Sequence, residues 1–275
     1  MKLNELLVLL NENFPPETAI ENDRIGLQVE CCENIEKILI AFEMTDDIIE
    51  ECLNLSCNTI ITFHPLIYNP LKQILLSDRV GKIVSKLIKN QINLISLHTT
   101  FDAHKFGTSR ILADLLELQP IDFLINNEKY PEAGMGIICE QNPPISAEKL
   151  INKIYSVCNS PIRSTIRPEQ KVSRIAIVGG SGMSFVSEVL RKNCDTFITA
   201  DATYHAFHAE QDKLLLIDVG HYEMEQFVTK GIASILKESF NARKIDFYVS
   251  KIVTNPIKYF PNNEYYSEQQ RKLLT

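Results

Sequence analysis

EKILIAF (36–42), NTIITF (58–63) and INLISL (92–97) are three short runs with consecutive apolar residues. The stretch between the first two repeats apolar residues at Ile48, Ile49, Cys52 and Leu55. The stretch between the second and third does so at Val80, Ile83, Val84, Leu87 and Ile88. Those are helical spacings, whereas a continuous short apolar run is the signature of a strand buried on both faces. Strand and helix in alternation predict crossover units and a mostly parallel or mixed sheet covered by helices.

The same alternation extends outward. The opening MKLNELLVLLNENF reads as an amphipathic helix through Leu3, Leu6, Leu7 and Leu10, not as a signal peptide. A helix is predicted over about 108–118. From Pro120 to Pro144 the chain reads as irregular, with Pro131, Pro143–Pro144 and GMGIIC (134–139) inside it. A second series follows, with strands at RIAIVGG (174–180), DTFITA (195–200) and KLLLIDVG (213–220), and another at IDFYVSKIV (245–253). The reading is an α/β fold of two domains, 1–125 and 126–240, with 241–275 returning to the first domain. The polar tail after Phe260 reads as frayed or interfacial.

Composition bounds the function. The 275 residues include 28 Lys and Arg against 35 Asp and Glu, a formal net charge of −7. No basic stripe is present and Trp is absent, which argues against nucleic acid as a partner. No apolar run reaches the roughly 18 residues of a membrane span. Seven cysteines, an odd number with no CxxC, fit a reducing cytoplasm rather than a disulfide framework or thiolate zinc site.

There are six histidines, all within 64–104 and 205–221. His64 directly follows NTIITF, His98 follows INLISL, and His221 follows KLLLIDVG; Asp201 stands one residue beyond DTFITA. In an open α/β sheet, groups just past the carboxyl ends of parallel strands collect at the edge where ligands bind. His98 with Asp102, and His221 with Glu225, are spaced i, i+4, which puts each pair on one helix face about 5–6 Å apart at Cβ. Imidazole with carboxylate suits zinc, iron or manganese. His104 and His208, in polar surroundings, are read as ordinary surface groups.

Four regions resemble the NIF-three-like family, whose other name is GTP cyclohydrolase I type 2-like. They are DRIGLQV (23–29), ITFHPLIYNPLKQI (61–74), SLHTTFDAHKFGTSRILADLL (96–116), and the closing pair ITADATYH (198–205) and IDVGHYEMEQF (217–227). The resemblance implies two α/β domains, a two-metal site between them, and ring-shaped hexamers. By position it implies the metal ligands His64, Asp102, His221 and Glu225, with Glu225 bridging two divalent ions. Many bacterial members have two adjacent histidines before the proline; here the first is Phe63, which cannot ligate and costs one metal an imidazole. Ala200 stands where glycine is usual, and 120–170 is too short for the inserted domain of longer members.

Two ions about 3.5–4 Å apart would acidify a shared water and polarise a carbonyl or phosphoryl group. The expected activity is hydrolase-like, on a small phosphorylated or nucleotide-like substrate; the alternative is a non-catalytic metal-containing scaffold. Lys72 is the basic residue that family position puts near the site, and Tyr204 and Tyr222 are expected to flank it. GxxxxGK[ST] is absent, and GGSGMS (179–184) reads as a tight strand-to-helix turn that needs glycine torsions.

Overall fold

In the computed structural model of the chain, which describes residues 1–167 and 169–259, α1 (Leu3–Asn13) opens the fold. It buries Leu3, Leu6, Leu9 and Leu10, while Leu7 packs at the margin. β1 (Gly26–Val29) and β2 (Lys37–Ala41) follow, then α2 (Asp46–Asn54), β3 (Thr59–Thr62), α3 (Arg79–Lys89) and β4 (Asn93–Ser96). Thr45 and Asp78 cap α2 and α3 by accepting from the Ile48 and Gly81 N–H groups. The short α4 (His98–Asp102) and then α5 (Thr108–Leu115) complete this half.

The second half starts with β5 (Gln119–Asn126) and β6 (Gly134–Ser146), followed by α6 (Ala147–Cys158), β7 (Arg163–Ser164) and β8 (Lys171–Ile177). Next come α7 (Val186–Arg191), β9 (Thr196–Thr199), α8 (Tyr204–Glu210), β10 (Leu215–Asp218), α9 (His221–Glu225), α10 (Val228–Ala242) and β11 (Asp246–Val249). The stretch expected to be irregular, 120–144, is the antiparallel pair β5 and β6. Its prolines are tolerated because β5 lies at a sheet edge and because Pro143–Pro144 fall where the β6–β8 register shifts, between Glu140 and Ile145.

Two mixed sheets result. The first has the order β1, β4, β3, β2, β11, parallel except for β1; the second has the order β5, β6, β8, β9, β10, β7, with β8, β9 and β10 parallel. The period of two sorts side chains to opposite faces. Ile38, Ile40, Ile61 and Ile95 meet α1 and α10, while Leu39, Ile60 and Leu94 meet Ile48 of α2 and Leu87 of α3. In the second sheet Ile175, Ile177, Ile198 and Ile217 share a layer with Leu150 and Ile154 of α6, and Phe197 and Leu216 face Val189 of α7. The polar tail after Phe260 lies outside the described residues.

After the second sheet the chain comes back to the first. Val228, Ile232, Leu236 and Phe240 of α10 pack with Leu6 and Leu9 of α1, and β11 pairs in parallel with β2. Truncating the fully buried Leu236 to alanine is expected to cost about 2–5 kcal/mol, a cavity-forming loss. Urea unfolding of the variant measures it, and a loss under about 1 kcal/mol would mean that α10 is not part of this core.

Candidate metal centre

The site is assembled from strand ends. Beyond β3, the Phe63 and His64 N–H groups donate to the Ala41 and Phe42 carbonyls at 3.1 Å, so the ladder continues one step past the strand and fixes the His64 backbone. His98 opens α4 with φ +37°, and Asp201, just past β9, has φ +56°. Both are non-glycine residues in the left-handed region, a conformation that costs energy and recurs at functional positions. His221 opens α9 directly after Gly220, and one helical turn later Glu225 returns to the same face.

Groups from both sheets meet here. His64 Nε2 lies 3.4 Å and His221 Nε2 3.1 Å from Glu225 Oε2. One ligand atom from each of His64, His221 and Glu225 falls within 4.8 Å of the others, a triad that could hold a metal ion. Glu225 is buried, and its Oε2 has no partner at hydrogen-bond geometry despite those two short approaches. A buried anionic oxygen that faces two ring nitrogens without directed hydrogen bonds fits a shared cation better than a hydrogen-bond network.

Each imidazole is held from behind. His64 Nδ1 is 3.2 Å from Glu43 Oε2, and His221 Nδ1 is 2.7 Å from Asp201 Oδ2. His98 Nδ1 is 2.7 Å from Asp23 Oδ1, and the His98 ring stands 5.5 Å from that of His64. Carboxylates at Nδ1 fix the tautomer and turn Nε2 toward the common point, the second layer typical of metal-ligating histidines. Ser181 hydrogen-bonds Asp201, and Asp23 also accepts from the Thr99 N–H.

The electrostatics describe a site poised for positive charge. Burial alone would lower the His64 pKa, but Glu225 and Glu43 outweigh it and raise the pKa to about 10. Burial likewise opposes, and Glu225 and Asp201 overcome it, to place His221 at about 9. Glu225 is driven up by burial and held below its ordinary value by the two imidazoles. Asp102 is raised to about 7 by burial and by the Glu225 charge, against a hydrogen bond from Thr108. Asp102 thus borders the triad as its electrostatic neighbour.

Close approach makes one glycine necessary. A Cβ on Gly180, in GGSGMS, would stand 2.5 Å from Glu225 Oε1 and 3.2 Å from His221 Nε2, and the residue has φ +63°. The tight turn expected there is therefore also the cover of the triad. A cavity of about 420 Å3 opens beside it, lined by His64, His221, Phe42, Tyr222 and Arg79 and by the strap 254–257. Tyr222 flanks this cavity, but Tyr204 lines a different one with Arg163 and His208. Lys72 is exposed in the loop before α3; the basic side chain at the cavity is Arg79. His104 packs edge-on against Phe14, and His208 against Tyr204.

Sequence reasoning missed Glu43, Asp23, Arg79 and Phe42. Glu43 was within reach: it stands two residues past β2, as His64 stands two past β3. Asp23 precedes β1 in a turn, and Arg79 opens a helix far along the chain, so neither carries a local signal.

A family model described as Duf34/NIF3 (NGG1p interacting factor 3) matches residues 1–256. The chain belongs to the Duf34/NIF3 family. A relative from Clostridium perfringens, a GTP cyclohydrolase 1 type 2 homolog, is 30% identical over 262 residues that cover 94% of this chain and all of the relative. A Staphylococcus epidermidis homolog of the same description is 25% identical and aligns over 367 positions, so it carries inserted residues that this 275-residue Duf34/NIF3 chain lacks. The crystal structure of Staphylococcus aureus protein SA1388 superposes with a TM-score of 0.87 at 28% identity, covering 94% of this chain and 99% of that one.

Two outcomes test the centre. Replacing Asp201 with asparagine removes the charge behind His221 and is expected to weaken zinc or manganese affinity about 10–100-fold, with little change in unfolding temperature; competition against a chromogenic chelator reads it. Second, His64 and His221 are protonated at neutral pH without metal, so binding must release protons. Calorimetry in two buffers at pH 7 should find close to two protons released, and affinity rising from pH 6 toward pH 9. For the metal-free fold the sign is opposite: both raised histidines favour it below about 6.5, and that stability is lost as pH climbs through about 9 to 10.

Proposed function

We propose that the chain binds divalent transition metal between its two sheets and acts as a metal-dependent hydrolase on a small phosphorylated or nucleotide-like substrate. The observation that carries the reading is the buried Glu225 Oε2, faced by two imidazole Nε2 atoms at 3.4 and 3.1 Å without hydrogen-bond geometry to either. His64, His221 and Glu225 would hold one ion, and Glu225 with Asp102 a second, Glu225 being the bridge. The imidazole and carboxylate donors select zinc, iron or manganese over calcium or magnesium. Bound there, such a cation supplies Lewis acidity and acidifies a water.

The chain's own residues do the rest. Glu43 and Asp201 keep the Nδ1 hydrogens and so present the Nε2 lone pairs. Phe63, fully buried, and Phe42 pack against the His64 ring and give it an apolar wall. Tyr222 and the strap 254–257 limit what enters the cavity. The family resemblance adds a homo-oligomer, a hexamer, to this reading; the cysteine usage adds a cytoplasmic location, and the acidic balance and the lack of a long apolar run leave neither nucleic acid nor membrane as partner; no helix among the described residues is long and apolar enough to cross a membrane.

One observation favours a second reading. The triad draws His64 from the end of β3 and His221 and Glu225 from beyond β10, so an ion there ties the two sheets together. A scaffold would use that tie for stability alone, since metal binding free energy becomes folding free energy. Elemental analysis of untagged protein, with hydrolysis of p-nitrophenyl phosphate and cyclic nucleotides, separates the two. The enzyme reading expects two ions per chain and hydrolysis lost in His221→Ala while the fold survives. Glu225→Gln should weaken both ions. One ion per chain overturns the dinuclear arrangement, and a silent screen with a large melting-temperature drop on chelation assigns the scaffold.

A further inference from the structure

The cavity beside the triad has a composition that narrows what it can hold. Phe42 and Tyr222 meet edge to face, with centroids 5.1 Å apart and planes at 79°, and Phe42 also packs on the His64 ring at 4.8 Å. The apolar surface is extended by Pro256 and Ile257 of the strap. A volume of about 420 Å3 lies in the lower part of the range for small-molecule sites, roughly 300–1,000 Å3. That is room for one small molecule of nucleoside monophosphate size, not for a peptide.

Its polar groups are few and specific. Arg79 is the one Lys or Arg side chain on the lining among the described residues. Its Nη2 donates to the Met44 carbonyl at 2.7 Å and lies 3.4 Å from Glu43 Oε1, which holds the guanidinium in place. No other nitrogen of the guanidinium has a partner among the described residues, so the remaining edge of the fork is free for a bidentate anion. Glu43 stands beside Arg79, and further negative groups on a ligand would meet that carboxylate.

We infer that this cavity takes a planar ring carrying a single anionic group, a nucleoside monophosphate or a compound of that chemistry, with Arg79 holding the anion and Phe42 and Tyr222 the ring. The inference rests on the proposed reading of the cavity as a substrate site and names the substrate class. One guanidinium beside one carboxylate accommodates one phosphate; a triphosphate gains nothing from its outer groups there. Arg79 is thereby a specificity-determining residue, and through Glu43 it also steadies the His64 ring.

Calorimetric titration of the full chain with GMP, GTP, guanosine and ribose 5-phosphate tests this, with metal content measured for every variant. GMP is expected to bind at least tenfold more tightly than guanosine or ribose 5-phosphate, and GTP no better than GMP. Arg79→Gln should weaken GMP at least tenfold and leave guanosine unchanged, with Arg79→Lys between. Phe42→Leu should weaken GMP and guanosine alike. The inference is overturned if GMP does not bind, if Arg79→Gln leaves its affinity intact, or if ribose 5-phosphate equals GMP. All titrations are repeated after chelation. A silent hydrolysis screen in the metal-loaded protein, with the Arg79 dependence of GMP binding retained before and after chelation, would remove the hydrolase reading and leave this one standing; equal GMP affinity of chelated wild type and chelated Arg79→Gln would overturn it.

Discussion

A carboxylate taken out of water must find positive charge, and Glu225 is that carboxylate. It is buried and sits between two imidazoles drawn from opposite halves of the molecule. Burying an unpaired carboxylate costs several kcal/mol even after relaxation. Without metal the cost is met by protonating His64 and His221, whose pKa values rise to about 10 and about 9. A divalent cation would replace those protons with a charge that three donors share. The same pocket thus has two ways of reaching neutrality, and they compete.

The architecture serves that convergence. Parallel strands share one direction, so the residues after β3 and β4, and those after β9 and β10, leave their sheets on the carboxyl edge. Each half alone would offer incomplete ligation. His64 has its carboxylate support in Glu43, after β2 of the same sheet, and His221 has its own in Asp201, after β9 of the other. The supports are local and the triad is not: each ring is oriented from within its own half, and the ligands converge only where the two sheets meet. The return of α10 and β11 to the first sheet holds the halves in register.

How much of this the sequence disclosed follows from the range of each signal. Strand and helix order was readable because EKILIAF, NTIITF and INLISL carry buried-strand runs that no solvent face interrupts. His64, His221 and Glu225 were readable from one rule about strand ends and one about helical spacing. The β5–β6 pair was not, because prolines at 120, 143 and 144 are turn signals locally and are tolerated only through edge position and a register shift, both tertiary facts. Asp23 and Arg79 were invisible for a related reason: their partners, His98 and Glu43, lie 75 and 36 residues away. Tyr204 misled because nearness in sequence to Asp201 is not nearness to the cavity; α8 carries it to another face.

Phe63 shows how one substitution can alter a site without dismantling it. The ring is fully buried, 5.8 Å from Phe42 and 6.1 Å from Phe101, and it touches both His64 and His98 edgewise or tilted. An imidazole at that position would bring a ligand, but it would also bring two ring nitrogens into a layer made by Ile61, Ile95 and Leu97. The phenyl ring needs no partner there. It also lowers the local dielectric beneath His64, which strengthens each charge interaction the triad makes. Loss of a donor is therefore set against tighter electrostatics for the donors that remain, and the balance falls on Glu225, the one anionic group that every remaining arrangement of charge at this centre must satisfy.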